Sequence, residues 1–255
     1  MVNNTKLLIS VKNIQEIEKI KDFADIVDLK NPKDGALGAW KEEQIKKALF
    51  KYSTFTVLSA TIGNLYQTDL IKKQILRLDT LGLDYIKVGF FKESVDNFRD
   101  FLEIFKDNFK TKLVLVLFAE NKNIISYVRS NLNTISNIGF YYLLIDTFNK
   151  QNKGIFDLIN YAYLKDLVSL LNQNNLKIGL AGKVNRSQFS KILGIRPNLF
   201  GVRSAVCEGF DRNLRISLKH TKYLKDYFKK DTKKAQENAG AVSYTHLRAH
   251  ETLLY

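Results

Sequence analysis

Residues 84–119 read DYIKVGFFKESVDNFRDFLEIFKDNFKTKLVLVLFA, and this stretch decides the fold. Asp84–Phe90 is a short, nearly continuous apolar run, and Lys112–Ala119 is another. Between them Val95, Phe98, Phe101, Leu102, Phe105 and Phe109 recur at helical spacing on one face. Asp96, Arg99, Asp100, Glu103 and Lys106 occupy the other. A strand that reads as an unbroken apolar run is buried on both faces, as in a parallel sheet covered by helices. The stretch is therefore a strand–helix–strand unit.

The same alternation extends in both directions. Apolar runs at Lys6–Val11, Ala24–Lys30 and Phe55–Thr61 precede it, and runs at Tyr141–Thr147, Lys177–Gly182 and Leu199–Ala205 follow. Phe156, Ile159, Tyr163, Leu167 and Leu170 predict the inward face of one long helix before the seventh strand. Eight strand–helix units in about 230 residues fit an α/β fold of the (β/α)8 TIM-barrel type. The expected single domain spans residues 1–235. A doubly wound open sheet is the competing architecture, but it usually carries a glycine-rich turn after its first strand. Here that turn is Val11-Lys12-Asn13-Ile14, without glycine.

Composition narrows the function classes. The 255 residues are 45% hydrophobic, enough to bury a full core. One cysteine, Cys207, excludes an internal disulfide and fits a reducing compartment. No stretch reaches the roughly 20 apolar residues of a membrane span. The N-terminus lacks a signal-peptide layout, so the expectation is a cytoplasmic protein with no membrane partner. The net charge of +14 raises nucleic-acid binding as an alternative. The lysines are spread along the chain without a basic block, so a Lys-rich solvated surface, without nucleic acid, is preferred. Positive charge also suits an anionic small substrate. Residues 236–255 read as a non-native or disordered tail. The Lys/Asn bias vanishes there, and His246 and His250 appear together. His220, in the last helix of the core, is the remaining histidine. No strand end carries a His, which argues against a Ser-His-Asp triad or a His-bound metal.

In a barrel of this kind functional groups gather at the C-terminal ends of the strands. Asp28 and Lys30 are two apart on strand two and point to the same side. Lys87 lies within an apolar run, Asp146 ends strand six, and Lys150 follows it. Burying an unpaired ammonium is costly, so such lysines must be paired or have lowered pKa. A deprotonated lysine can attack a carbonyl and form an imine. The structural alternative is a pair of ion pairs, Lys30–Asp28 and Lys87–Asp146. Gly182 and Lys183 after strand seven, and Gly201, Arg203 and Ser204 at strand eight, occupy the usual phosphate cradle of the fold. Arg203 could instead pair with a barrel carboxylate. Gly35 and Gly38 either make the loop after strand two a flexible cover or serve as ordinary turn residues. Cys207 reads as a small buried thiol.

These residues carry a resemblance. Asp28-x-Lys30-Asn-Pro-Lys-x-Gly35-x-Leu-Gly38-Ala, Ser59-Ala-Thr-x-Gly63, Asp84-Tyr-Ile-Lys87-Val-Gly, Asp146-Thr, Ala181-Gly and Gly201-Val-Arg203-x-Ala-x-Cys207-x-Gly-x-Asp211-Arg212-Asn213 resemble the (5-formylfuran-3-yl)methyl phosphate synthases. The similarity runs from about Lys6 to Lys230 in the family's order. It implies a lyase that condenses two glyceraldehyde 3-phosphate molecules to the furan phosphate, with loss of phosphate and water, on the route to methanofuran. It implies no metal and no organic cofactor. Lys30 matches the family's Schiff-base lysine and Lys87 its proton-transfer lysine; Asp28, Asp146 and Lys150 match active-site positions. Ser59, Thr61, Gly182, Lys183, Gly201, Arg203 and Ser204 are the expected substrate- and phosphate-binding residues. The chain departs from the family pattern at Lys183, where a small hydroxyl residue is usual. It departs again at Glu208 and Phe210, in a turn usually rich in Lys and Gly. The rivals are another Schiff-base aldolase acting on a small sugar phosphate and, more distantly, a basic nucleic-acid-binding protein. A homo-oligomer is compatible with the sequence.

Overall fold

The computed structural model describes residues 5–91, 94–149 and 153–229. The tail expected at 236–255 and Lys150 lie outside the described residues. Eight parallel strands close into one barrel in chain order: β1 (Lys6–Val11), β2 (Ile26–Leu29), β3 (Leu58–Thr61), β4 (Tyr85–Gly89), β5 (Lys112–Phe118), β6 (Tyr142–Asp146), β7 (Ile178–Leu180) and β8 (Leu199–Val202). The closure is the pairing of β8 with β1, Leu8 opposite Gly201. Every expected strand is present, each shorter than its apolar run or equal to it.

Helices cover the outside: α1 (Ile14–Ile20), α2 (Glu42–Tyr52), α3 (Thr68–Asp79), α4 (Val95–Leu102), α5 (Lys122–Ser130), α6 (Leu132–Ser136), α7 (Ile155–Leu158), α8 (Tyr161–Gln173) and α9 (Phe189–Ile195), with a last helix over 218–229. Asn13 caps α1, its side chain accepting from the Glu16 N–H at 3.0 Å. The single long helix expected over 156–170 is instead two. Ile159 leaves helical geometry, and Asn160 starts α8 by accepting from the Ala162 N–H. The restart rotates the buried face to Leu164, Leu167, Val168 and Leu171.

Strand periodicity divides the core in two. Ile9, Val27, Leu29, Ile86, Leu115, Ile145 and Phe200 face outward into the layer shared with the helices. Leu8, Ile26, Tyr85, Val114, Val116, Tyr142, Leu144 and Leu199 fill the barrel interior. The inward positions turn polar toward the C-terminal ends, where Ser10, Asp28, Ser59, Thr61, Lys87 and Asp146 are all buried.

The loop after β2 is a plug. Ala36 and Leu37 join the interior cluster, and Leu37 packs over Gly89 so closely that a Cβ there would stand 2.2 Å from its Cδ1. Asn64 accepts from the Leu37 N–H at 3.1 Å and donates to the Asp34 carbonyl, while Thr61 donates to the Gly38 carbonyl at 2.9 Å. Gly35 and Gly38 thus serve a pinned turn, the second of the two readings left open for this loop.

Candidate active site

Four charged side chains converge inside the C-terminal end of the barrel. Asp28 on β2 is fully buried, and its Oδ2 accepts from Lys87 Nζ of β4 at 2.6 Å and from Ser10 Oγ of β1 at 2.7 Å. Lys30, just beyond the end of β2, lies 3.7 Å from Asp146 Oδ2 at the end of β6. The partners are exchanged relative to the ion pairs expected from the sequence. The register explains the exchange. Asp28 stands level with Ser59, and Thr61 stands level with Lys87. The Lys87 side chain therefore reaches back over the small Ser59 to Asp28. Lys30 sits one step nearer the mouth and meets β6 instead. Both lysines are paired, the first of the two states that burial permits.

A cavity of about 830 Å³ opens above this group. The Leu37 plug packs on Gly89 at the end of β4 and is tied to Thr61 and Asn64, and the open space is bordered chiefly by β1, the loop after β2 and the segments after β6, β7 and β8. Lys30, Lys87, Asp146 and Ser10 line it. Gly182, Lys183, Gly201 and Ser204 line its β7–β8 side, where phosphate binding was expected. Ser59 and Thr61, expected near substrate, are buried beneath it, and neither borders the cavity. Thr61 spends its hydroxyl on the plug. Glu120 accepts from the Phe148 and Asn149 N–H groups and so fixes the start of the loop after Asp146.

Arg203, expected to contact phosphate, also borders the cavity, and its guanidinium is held by groups of the protein. Nε donates to the Arg212 carbonyl at 2.9 Å, one terminal nitrogen to the Ser10 carbonyl and to Glu16 Oε2, the other to Glu16 Oε1 and the Leu214 carbonyl. All five N–H donors of the guanidinium are thereby engaged within the protein. The alternative was a barrel carboxylate; the carboxylate partner is instead Glu16 of α1. Arg203 thus fastens a strap, residues 211–214, across β1.

The cavity rim is cationic. Among the described lining residues, besides the Arg203–Glu16 and Lys87–Asp28 pairs, Lys30, Lys33, Lys183 and Arg212 stand with Asp146 and Asp211. Burial holds the Arg212 guanidinium below its ordinary value, opposed by the charge of Asp146. Burial also pushes the Cys207 thiol up to about 11, so this cysteine is an inert core group as expected. His220 is structural, its Nδ1 2.9 Å from the Cys207 carbonyl and its ring stacked on Phe210. Among the described residues no three His, Cys, Asp or Glu side chains are grouped as metal ligands would be. No helix among them is long and apolar enough to cross a membrane.

Such a site can hold an anionic carbonyl compound beside two lysines and two carboxylates. Sequence reasoning missed Ser10 and Arg212. The signal for Ser10 was its register, two residues after inward-facing Leu8. Arg212 lies outside every helix and strand and has no periodic signal; its signal was its place in the Asp211-Arg212-Asn213 motif that carried the resemblance.

Comparison with known proteins places this geometry among relatives. A family model described as 4-HFC-P synthase matches residues 7–225. The chain is 30% identical to the (5-formylfuran-3-yl)methyl phosphate synthase of Methanothermobacter thermautotrophicus over 87% of this chain and 99% of that one. It is also 30% identical to the protein of the same name from Methanocaldococcus jannaschii, over 88% and 99%. Among solved structures, 3-hexulose-6-phosphate synthase superposes with a TM-score of 0.58 at 12% identity, covering 87% of this chain and 99% of that one. Orotidine 5'-phosphate decarboxylase from Pyrococcus horikoshii gives 0.57 at 12% identity, covering 88% and 99%. These two share the barrel.

Proposed function

The chain belongs to the 4-HFC-P synthase family, and on that premise we propose that it condenses two molecules of glyceraldehyde 3-phosphate into (5-formylfuran-3-yl)methyl phosphate through a Schiff base on Lys30. Atom balance requires one phosphate and two waters to leave. The proposed enzyme is a cytoplasmic lyase without metal or organic cofactor, and its product feeds the furan ring of methanofuran-type carriers.

The observation that carries this reading is the convergence of Lys30, Lys87, Asp28 and Asp146 under one cationic cavity. The Lys30 amine adds to the carbonyl of one triose phosphate and water departs, leaving an iminium. The iminium acidifies the adjacent C–H, and Lys87, tied to Asp28, relays that proton. Phosphate is then eliminated from the enamine, and the carbon that lost it adds as an enol to the carbonyl of the second triose phosphate in its ketone form; ring closure with loss of two waters gives the furan, and one water hydrolyses the imine to release the aldehyde and free Lys30. Asp146 orients Lys30 and assists the dehydrations. Lys150 keeps its expected role in this scheme.

Borohydride trapping tests the reading. The protein is incubated with glyceraldehyde 3-phosphate, reduced, and mapped by peptide mass spectrometry. A reduced adduct on Lys30, absent in Lys30→Arg, is expected, together with an ultraviolet-absorbing furan product. An adduct on Lys30 without that product would favour a different Schiff-base aldolase. A folded protein with no adduct on any lysine would overturn the imine chemistry.

A further inference from the structure

The segment after β8 is built with more care than a connecting loop needs. An antiparallel bridge between Cys207 and Ile216 ties its two ends. Within it, the Asp211 carboxylate accepts from the Asn213 N–H at 2.9 Å, and the Leu214 N–H donates to the Asp211 carbonyl at 3.1 Å. Lys12 of the β1–α1 turn donates to the Asn213 carbonyl, and Arg203 holds the carbonyls of Arg212 and Leu214 on either side. Main-chain groups of this strap are thus fixed from the β1–α1 turn and from the residue that follows β8.

What the strap presents is the Arg212 side chain. It crosses toward the plug, where one terminal nitrogen lies 3.4 Å from the Gly35 carbonyl, a long contact. Its Nε is sealed from solvent and has no acceptor. Arg212 and Lys33 of the plug both border the cavity, on the β1–β2 side of the mouth. Gly182, Lys183, Gly201 and Ser204 border it on the β7–β8 side. A half-buried guanidinium that borders a cationic cavity, with Nε unsatisfied and a terminal nitrogen held only by a long contact, is suited to a phosphate, which accepts paired N–H bonds.

Resting on the reading that two triose phosphates meet in this cavity, we propose that Arg212, with Lys33, forms a second phosphate subsite, separate from the one expected at the ends of β7 and β8. Arg203 is the positioning residue that holds Arg212 in place. The two phosphates are then kept on opposite sides of Lys30, with the carbon chains directed toward each other.

Equilibrium titration with inorganic phosphate, at low ionic strength and without any turnover, tests the subsite. Wild-type protein is expected to bind two phosphates per chain and Arg212→Gln one, with the affinity of the retained site unchanged. Arg212→Lys keeps the charge but loses the planar fork, and should weaken the second site roughly 10- to 100-fold. It carries the test if Arg212→Gln does not fold. A wild type that binds a single phosphate, or a folded variant that matches wild type in stoichiometry and affinity, would overturn the proposal. Borohydride trapping on wild-type protein separates the two readings. Two bound phosphates with no Lys30 adduct leave the subsite standing and remove the condensation.

Discussion

The ammonium of Lys87 and the carboxylate of Asp28 lie 2.6 Å apart, both sealed inside the barrel, and Ser10 donates to the same carboxylate oxygen. The pair joins β2 to β4 across β3. Its geometry makes each partner dependent on the other.

Lys87→Met leaves the Asp28 charge buried, and Asp28→Asn leaves the ammonium buried. Each single change should destabilise the fold by about 3–5 kcal/mol, while the double variant recovers part of that loss. Urea unfolding of the four proteins measures the coupling; strictly additive costs would mean that the pair contributes nothing as a pair. Lys87→Met should also slow turnover by about 10²–10⁴-fold while the imine on Lys30 still forms.

Arg203 and Glu16 make the same argument for the strap. Their side chains are 9% and 4% exposed, so Arg203→Met strands a buried carboxylate. A loss of about 3–5 kcal/mol is expected, partly restored by adding Glu16→Gln. A thermal melt that is unchanged in Arg203→Met would show that Arg203 does not hold the strap.

Gly38 is required by a close approach. A Cβ there would stand 2.2 Å from the Asn31 carbonyl oxygen and 2.8 Å from the Asp34 Cβ. Gly38→Ala must therefore push the plug outward and drag Asn31, the neighbour of Lys30. A destabilisation of about 1–3 kcal/mol is expected. Turnover should fall by as much as about 10²-fold, since small displacements of a reacting group are costly. Melting temperature and steady-state rates check both.

Cys207 makes a pH-dependent contribution. The unfolded thiol ionises near 9, whereas the folded one holds its proton to about 11. The folded chain therefore binds more protons between those values. The contribution is fully present below pH 9 and is lost as pH rises toward 11. Chemical denaturation across this window should show that decline, and Cys207→Ala should flatten it. A thiol reagent at pH 8 should label Cys207 only after unfolding.

The barrel was legible because strands buried on both faces must be apolar throughout, and eight such runs alternate with helical stripes. Lys30, Lys87, Asp28 and Asp146 were legible because charge inside such a run is costly and marks a strand end. The break at Ile159 was hidden, because Phe156 to Leu170 keeps a helical spacing whether or not Asn160 restarts the helix.

By itself the sequence determined the strand order and which charges enter the barrel, since local pattern and the cost of burial decide both. Only the tertiary structure decided who pairs with whom. Lys87 takes Asp28 because the β2–β3–β4 register brings them together over Ser59, and Lys30 is left to Asp146. Likewise Arg203 became a clasp because Glu16, Ser10 and the strap carbonyls surround it, and Arg212 was left with an unsatisfied donor. A side chain's role follows from the partners within its reach, and those partners come from elements far apart in the chain.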